Sequence, residues 1–543
     1  MRKRVNNGKG ISVHGIAGTY VVLLGMDATP KARKGLLGFA IHRTDKTEKE
    51  AYWLLGFRTF KETEPNPAPG TLISTQEHPV QGFVWGDYTA KTNHTYVYKV
   101  VPVYGTPKNL EYGTPAELTI RTEDEDNGAH AIYFNRGVAG SQAYTRKFGD
   151  KKPREVGKEA YDWLSRGALE AVLKYIGQAK GKRYSIRAAV YEFSYLPVLE
   201  AFKKASDSGA DVKIVYDCRQ PQPQKTSNAV IKKAGISKLM IKRTANPSYI
   251  SHNKFIVLLD KGKPVQVLSG STNFTEGGIF GQSNVVHIVR DAKIAARYLE
   301  YWEQLAANTD AKELRPWNSE NNPDPEELKK GITNIFSPRS SLGALNWYAG
   351  QVNTASKSIA FTAAFGVNKT IAGFLGKNKK NFRYLILEKE GNTFNDFIRN
   401  RNNFVALGAV LNPKAVGDTI FQRWLKEELS NLNKNVKYLH TKYLLVDPLG
   451  DDPLVIGGSA NFSDASTKNN DENMLLIKGN TLVADIYLGE FMRLWHHFFF
   501  RDIANRLAHK TTVDTAYLYP NDKWTDNFYG KNVRKTAERQ LFA

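Results

Sequence analysis

The chain has 543 residues, of which 41% are hydrophobic and 24% charged, so it is not of the disordered class and is long enough for several folded domains. Its one cysteine, Cys218, excludes an internal disulfide and a cysteine-rich zinc site. With 76 Lys and Arg against 54 Asp and Glu, the net charge of +22 predicts attraction to a polyanion, either nucleic acid or an anionic membrane, unless it only solubilises the surface.

The chain has no stretch that is typical of a secreted or membrane-spanning protein. Its first residues, MRKRVNNGKGISVHG, are basic but lack the apolar run of about 7–15 residues that a secretory signal needs. No later stretch reaches about 18 uninterrupted apolar residues. We therefore expect a cytoplasmic protein.

The first segment, residues 1–123, predicts an all-β sandwich. From about residue 11 it contains short apolar runs separated by turn residues, and Tyr96, Tyr98 and Val100 alternate as on a half-buried strand. Pro102 predicts an edge position or a bulge in that strand. The YxYxVxxV pattern resembles a fibronectin type III or immunoglobulin-like domain, which implies a binding or spacer module.

Beyond the acidic run at 123–128 the pattern changes to strands that alternate with amphipathic helices, which is typical of the α/β class. The first such block spans 129–322, and a polar, proline-rich break separates it from a second block at 326–505. The remaining residues, 506–543, are polar and basic and predict a capping or mobile tail.

One set of residues occurs twice in these two blocks, at a constant separation of 188. His252, Lys254, Gly270, Ser271, Asn273 and Phe274 are repeated as His440, Lys442, Gly458, Ser459, Asn461 and Phe462. Asn284 falls on Glu472 by the same offset.

The spacing within each copy has a chemical meaning. Alternate residues of a strand point to one side, so HxK presents an imidazole and an ammonium together. Two copies that face each other place two histidines, two lysines and two asparagines around one phosphate. That arrangement permits covalent catalysis with no metal and no cofactor, because one histidine can be the nucleophile and the other the general acid.

The doubled motif, HxKxxxxD followed by GSxNF, resembles the phospholipase D superfamily. The resemblance implies two α/β half-domains, each a mixed sheet flanked by helices, that form a pseudo-dimer within one chain behind the β-sandwich. The second copy, His440, Lys442 and Asp447, matches the motif fully. The first has Leu259 at the aspartate position, and its aspartate is displaced to Asp260, where a one-residue shift turns the side chain to the other face.

The resemblance also implies roles for individual residues. His252 and His440 are the nucleophile and acid pair, with Lys254, Lys442, Asn273 and Asn461 as phosphate ligands. Ser271 and Ser459 are expected to line the same pocket, and Asp447 to support structure and histidine orientation more than bond cleavage. Glu472 resembles the carboxylate that holds a catalytic histidine, and Asn284 is its partner position. His252 is our choice as nucleophile, although the carboxylate argument can equally favour His440.

Other residues give weaker signals. Arg136 and Arg339 each open a half-domain, and either could contact the substrate backbone or be an ordinary surface charge. His287, His496 and His497 lie in apolar patterns that predict core packing.

Three functions remain open at this point. The basic charge favours a nuclease, with nucleic acid and more specifically DNA as the partner. A phospholipase or phosphatidyltransferase would use the same site, since the chemistry acts on a phosphodiester. The third alternative is a non-catalytic polyanion-binding protein. A single chain holds both half-sites, so catalysis does not require an oligomer.

Overall fold

The computed structural model of the chain describes residues 1–67, 71–137, 141–149, 151–219, 224–408, 438–508, 517–530 and 533–543. None of the helices found in these ranges combines the length and the apolar character needed to cross a bilayer.

The N-terminal segment forms two antiparallel sheets that enclose one apolar core. One sheet has the order β1-β2-β3-β8; the other has the order β10-β9-β4-β5, with β11 also paired to β9, and β6 pairs with β7. The elements are β1 (Arg2–Asn6), β2 (Ile11–Ala17), β3 (Val22–Ala28), α1 (Pro30–Arg33), β4 (Gly38–Asp45), β5 (Glu50–Trp53), β6 (Leu55–Gly56), β7 (Ile73–Ser74), β8 (Val84–Asp87), β9 (Thr95–Thr106), β10 (Asn109–Tyr112) and β11 (Ala116–Arg121).

Two local features of the sandwich concern strand β1 and Pro102. Strand β1 lies ahead of the predicted strands, and its Arg2 donates a hydrogen bond of 2.8 Å to Asp485, a partner 483 residues away. Pro102 lies within β9, where β11 pairs as far as Val100 and β10 pairs from Val103 onward. The missing N–H of the proline therefore falls in the gap between two partner strands, where β9 is paired with β4 alone, as at a sheet edge.

The first half-domain is built on a seven-stranded mixed sheet of order β12-β18-β17-β16-β13-β14-β15. Its strands are β12 (His130–Phe134), β13 (Tyr184–Val190), β14 (Asp211–Asp217), β15 (Met240–Arg243), β16 (Lys254–Asp260), β17 (Lys263–Gly270) and β18 (Val285–Val289). Its helices are α2 (Ser141–Phe148), α3 (Pro153–Val156), α4 (Lys158–Ser165), α5 (Ala168–Ile176), α6 (Leu196–Asp207), α7 (Gln224–Ala234), α8 (Ala292–Ala306) and α9 (Ala311–Asn321), with a 3₁₀ turn at Ser237–Leu239 and a π turn at Gly277–Gly281.

The second half-domain repeats this sheet in the order β19-β25-β24-β23-β20-β21-β22, so the two orders correspond position by position. Its strands are β19 (Gly331–Ser337), β20 (Ser358–Ala363), β21 (Phe382–Leu387), β22 (Asn403–Leu407), β23 (Tyr443–Val446), β24 (Leu454–Gly458) and β25 (Glu472–Lys478). Its helices are α10 (Gly343–Thr354), α11 (Lys369–Lys377), α12 (Phe394–Phe397), α13 (Asp464–Lys468) and α14 (Thr481–Ala508). The predicted class, mixed sheets flanked by helices behind all-β sheets, is confirmed.

Helix α6 illustrates how the sequence builds these layers. Its buried residues Val198, Leu199, Phe202 and Ala205 recur at helical spacing and so form one apolar stripe against the sheet. The helix ends just before Gly209, whose φ of +100° suits glycine. The chain then re-enters the sheet as β14, parallel to β13, as the βαβ pattern predicts.

The two half-domains and the sandwich share a continuous apolar interior. One cluster joins Ile16 and Leu23 of the sandwich, Phe134 of the first half-domain and the buried face of α14. The described part of the predicted tail contributes a 3₁₀ turn at Asp522–Thr525, α15 (Asp526–Tyr529) and α16 (Val533–Phe542). Trp524 packs in the sandwich core, so this part caps the molecule, while residues 509–516 and 531–532 of the predicted tail lie outside the described residues.

A buried histidine between the sandwich and α16 predicts acid sensitivity. His14 Nδ1 lies 3.0 Å from the carbonyl oxygen of Phe542. Burial and the nearby Arg4 lower the pKa of His14 to about 4. Between pH ~6.5 and pH ~4 the unfolded chain therefore binds more protons at this histidine than the folded chain does. The contribution of His14 to the free energy of unfolding falls as the pH falls, by about 2 kcal/mol at pH 5.

We expect the change His14→Gln to remove this pH-dependent contribution to stability. Thermal unfolding at pH 7 and pH 5 should give a smaller decrease in Tm for the variant than for the wild type. An equal decrease in both proteins would contradict the prediction.

Candidate active site

The two repeated histidines meet at the junction of the half-domains. His252 and His440 each stand two residues before the lysine of the motif, at the start of β16 and β23, which are equivalent strands of the two sheets. Their ring centroids are 6.5 Å apart, and both residues are only 4% exposed. Two imidazoles from distant parts of the sequence therefore lie within reach of one small group.

The lysines of the motif accompany the histidines on the same side of their strands. Lys254 Nζ donates a hydrogen bond of 2.6 Å to the carbonyl of His252, and Lys442 Nζ donates one of 2.6 Å to the carbonyl of His440. Each ammonium has three donors and uses one of them here. The remaining donors are available to an anion that lies between the two strands.

Each imidazole is held by a side chain from the opposite half-domain. His252 Nδ1 lies 2.9 Å from Glu472 Oε2, and His440 Nδ1 lies 2.8 Å from Asn284 Oδ1. Glu472 is ionised, so it accepts the Nδ1–H of His252; Asn284 Oδ1 is likewise an acceptor. Both rings therefore expose an Nε2 that is free of that proton, which is the form of a nucleophile or a base.

The predicted asparagines and serines lie beside these groups. Asn273 donates a hydrogen bond of 2.7 Å to Glu192, and within the described part of the chain the side-chain oxygens of Asn273 and Asn461 are buried without a hydrogen-bond partner. Ser271 instead donates to Asn284 Oδ1 at 2.8 Å. Ser459 accepts a hydrogen bond of 3.0 Å from the backbone of Asn473. The serines thus hold neighbouring residues of the protein, Asn284 and the backbone of Asn473. The side-chain amides of Asn273 and Asn461 each keep a hydrogen-bonding group that is not paired within the described residues.

The electrostatics of the site reflect an excess of buried cationic groups. Burial lowers the pKa of Lys254 to about 8, against the opposing effect of Glu472. Burial and the nearby Lys254 hold the pKa of Lys442 well below its ordinary value. Burial also lowers the pKa of His252 to about 4, although Glu472 raises it, and holds that of His440 well below 6.5. An anion bound at this point would favour the charged forms of all four groups.

The glycines of the motif are required by close approach of the backbone. A Cβ added to Gly270, whose φ is +144°, would lie 2.2 Å from the carbonyl oxygen of Val285. A Cβ added to Gly458 would lie 2.2 Å from the carbonyl oxygen of Asn473. These contacts bring the strand with the serine and asparagine against the strand with Asn284 or Glu472.

The two aspartates of the motif lie away from the rings. Asp447 follows β23, five residues and roughly 16 Å of strand from Lys442. Its carboxylate accepts hydrogen bonds of 2.6–2.9 Å from the backbone of Ser356, Lys357 and Ser358, so it holds the turn before β20. Asp260 pairs with Arg183 through two hydrogen bonds of 2.6 Å. Both carboxylates therefore hold the chain near the neighbouring strand.

The two predicted substrate arginines have partners within the protein. Arg339 is 1% exposed, donates to the carbonyls of Phe336 and Asn322, and lies 2.9 Å from Asp324. Arg136 donates to the carbonyl of Trp163 and stacks on its ring at 4.4 Å. The structure does not bring Arg339 to the histidines, and it gives Arg136 a packing role.

The remaining histidines that we assigned to packing lie outside the cluster. His287 is buried between His130, at 3.0 Å, and the hydroxyl of Tyr487, at 3.0 Å. His496 meets the hydroxyl of Tyr88 from the sandwich.

Two buried carboxylates that the sequence interpretation missed position the histidines. Asp217, at the end of β14, accepts a hydrogen bond of 2.9 Å from the backbone N–H of Ser251. Glu388, just after the equivalent strand β21, accepts one of 2.8 Å from the backbone N–H of Leu439. Ser251 and Leu439 each precede a histidine of the motif, so the two half-domains use the same device. The available signal in the sequence was the acidic residue at the end of each apolar run, Asp217 in β14 and Glu388 after β21.

A second missed group joins the halves beneath the rings. Asn473 donates to Asn253 at 2.8 Å, and its side-chain oxygen accepts hydrogen bonds from Ser269 at 2.6 Å and Tyr298 at 3.0 Å. Arg243 of the first half-domain pairs with Asp471 of the second at 2.9 Å. No repeat marks these residues, so the sequence gave no reason to connect them.

Comparisons with known proteins agree with this architecture. A family model described as "Cardiolipin synthase, PLD-like domain" matches residues 172–306 and 384–495. Among solved structures, the chain is 30% identical to Nuc, a phospholipase D family member from Salmonella typhimurium, over 26% of this chain and 88% of Nuc, with a TM-score of 0.22.

Two further solved structures share less sequence. Phosphatidylserine synthase from Haemophilus influenzae is 12% identical over 70% of this chain and 93% of that protein, with a TM-score of 0.41. NucT from Helicobacter pylori is 14% identical over 31% of this chain and 96% of that protein, with a TM-score of 0.24. No curated protein matches the chain significantly.

The close approach at Gly458 predicts that a single methyl group disrupts the site. We expect Gly458→Ala to push β24 from β25, to cost about 1–3 kcal/mol of stability and to displace Ser459 and Asn461. Gly457→Ala is the matched control, because its nearest contact would be an ordinary 3.4 Å to Tyr443. Thermal unfolding of both variants tests this, and equal stability of the two would contradict it.

The hydrogen bond between Glu472 and His252 predicts a specific effect of Glu472 on the pKa of the His252 imidazole. Glu472→Gln removes the negative charge that raises the pKa of His252, so that pKa should fall further below about 4. We expect a decrease in activity of roughly 10–100-fold. Histidine ¹⁵N shifts recorded against pH measure the first effect.

Asp447→Asn makes the same carboxylate-to-amide change at a site that contacts the 356–358 turn. It should lower stability and leave the pKa of His252 unchanged. Equal changes of the His252 pKa in Glu472→Gln and Asp447→Asn would show that Glu472 does not act on His252 directly.

Proposed function

Because the chain belongs to the phospholipase D superfamily, we propose that it is a metal-independent phosphodiesterase that cleaves nucleic acid through a phosphohistidine intermediate. The observation that carries the proposal is the pair of buried imidazoles 6.5 Å apart, flanked by two buried ammonium groups. Burial lowers the pKa values of these groups although Glu472 and Glu192 lie nearby, and a bound phosphodiester would add the negative charge that favours their protonated forms.

In the proposed mechanism His252 is the nucleophile. The bound anionic phosphate favours protonation of His440 at Nε2, whereas His252 keeps an unprotonated Nε2 and attacks phosphorus with it. The bond from phosphorus to the leaving oxygen then breaks, and His440 gives its Nε2 proton to that oxygen. The phosphorylated ring gains positive charge, which the Glu472 carboxylate at 2.9 Å stabilises, whereas Asn284 offers His440 no charge. Water then attacks phosphorus, His440 takes its proton, and the P–N bond breaks to release His252.

The binding groups follow from the same geometry. Lys254 and Lys442 hold the non-bridging oxygens, because each ammonium keeps donors beside the one that it gives to a backbone carbonyl. The Nδ2 amides of Asn273 and Asn461 complete this set. A phosphodiester oxygen pair is singly charged, so two lysines with lowered pKa values become fully protonated when it binds.

Nucleic acid is the proposed substrate class because of charge. The chain carries +22, and cationic residues gain free energy by releasing the counterions of a polyanion. A phospholipid substrate is the second candidate, which the cardiolipin synthase description of the family model favours.

The test compares wild type, His252→Asn and His440→Asn on single-stranded DNA, RNA and phosphatidylcholine vesicles in EDTA. We expect the wild type to release acid-soluble fragments from nucleic acid, and each variant to lose at least about 10³-fold in rate. His94→Asn in the sandwich is the control and should keep full activity. With a nitrophenyl phosphodiester, His440→Asn should accumulate an acid-labile phosphohistidine that His252→Asn does not form.

Several outcomes would contradict the proposal. Turnover of vesicles without cleavage of nucleic acid would favour the phospholipase. Loss of activity in EDTA, restored by a divalent metal, would reject the metal-independent mechanism. Accumulation of the intermediate in His252→Asn alone would reverse the roles of the two histidines.

A further inference from the structure

Phe365 is exposed on the second half-domain. Its 53% exposure is the highest of the large hydrophobic side chains that the described residues leave exposed. The others belong to the sandwich or, as Tyr519 does, to the segment bound to it: Met1, Tyr52, Leu55, Phe57, Tyr112 and Tyr519. Over the described parts of the two half-domains, Phe365 is thus the one large hydrophobic side chain that is exposed.

The chain places Phe365 at the rim of the candidate active site. Strand β20 pairs antiparallel with β23, with Phe361 opposite Leu444. Thr362 then donates to the carbonyl of Thr441, the residue between His440 and Lys442, at 2.9 Å. Phe365 follows three residues later and within roughly 7 Å of the end of β20.

The equivalent position in the first half-domain has different chemistry. There β13 pairs with β16, with Val190 opposite Lys254, and Glu192 lies two residues beyond Val190. Continuing the register of β20 puts Ala363 opposite Lys442, as Val190 is opposite Lys254. Phe365 lies two residues beyond Ala363 and therefore corresponds to Glu192. Glu192 accepts a hydrogen bond of 2.7 Å from Asn273, whereas Phe365 presents an open ring.

The two sides of the bound phosphate are therefore unlike. A carboxylate lies on the His252 side and an exposed phenyl ring on the His440 side. A substrate that fits must be polar on one side of its phosphate and flat and apolar on the other. A nucleotide unit has this character, since a sugar with hydroxyl or ether oxygens is joined to an aromatic base.

We propose that Phe365 is a stacking platform for the nucleobase next to the cleaved phosphate on the His440 side, and that the substrate is single-stranded nucleic acid. The inference rests on the proposed function. A base in a duplex already stacks on both faces, so only an unpaired base offers a face to the ring. An acyl chain would need a wider apolar surface, and no second large hydrophobic side chain is exposed on the described half-domains.

The first experiment measures cleavage of a single-stranded oligonucleotide by wild type, Phe365→Ala and Phe365→Tyr. Stacking on an aromatic side chain predicts a decrease in kcat/KM of roughly 5- to 150-fold for the alanine variant and little change for tyrosine. An oligonucleotide with an abasic site beside the cleaved phosphate should reduce wild type to the rate of Phe365→Ala. Phe57→Ala, an exposed phenylalanine of the sandwich, is the matched control and should change nothing.

The second experiment reads stacking without cleavage. A single-stranded oligonucleotide with 2-aminopurine at that position should be quenched by wild type and less so by Phe365→Ala. If wild type cleaves no nucleic acid, the proposed function fails, and the quenching still tests Phe365.

Equal quenching by wild type and Phe365→Ala would overturn the inference. Equal cleavage of the base-containing strand by the two proteins would also overturn it. A loss confined to phospholipid vesicles would overturn it as well and would assign the ring to an acyl chain.

Discussion

The candidate site depends on two hydrogen bonds that cross from one half-domain to the other. Glu472 holds His252 and Asn284 holds His440, so neither half-domain contains a complete set of groups. The rings stay oriented only while β16 and β23 keep their relative position. The buried Arg243–Asp471 pair and the Asn473 network maintain that position, because breaking either would leave unpaired polar groups in the interior.

Duplication preserved the backbone of the site more strictly than its chemistry. The spacing of 188 residues and the strand order are shared, and Asp217 and Glu388 accept equivalent backbone hydrogen bonds. The groups around the rings differ: a carboxylate faces one histidine and an amide the other. Unequal surroundings give the two imidazoles different basicities, which is what a reaction with separate nucleophile and acid requires.

The sequence predicted the parts of this arrangement that repeat or alternate. The equal offset connected His252 with His440, and the apolar periodicity of α6 and β14 predicted the α/β layers. It could not predict β1, whose Arg2 side chain bonds to Asp485 of the second half-domain, or the packing of Trp524 in the sandwich core. Asp447 matched a motif, yet its carboxylate bonds to the 356–358 turn, because a motif records spacing and not the direction of a side chain.

The electrostatics of the site favour one kind of ligand. Two ammonium groups and two imidazoles are buried here, and burial holds their pKa values down although Glu472 acts in the opposite direction on both lysines and on His252. A neutral ligand would leave this cost unrelieved. A phosphodiester brings one negative charge and several acceptors to the point where both strands direct their free donors. A bound phosphate would therefore favour the charged form of Lys442, whose pKa burial holds well below its ordinary value.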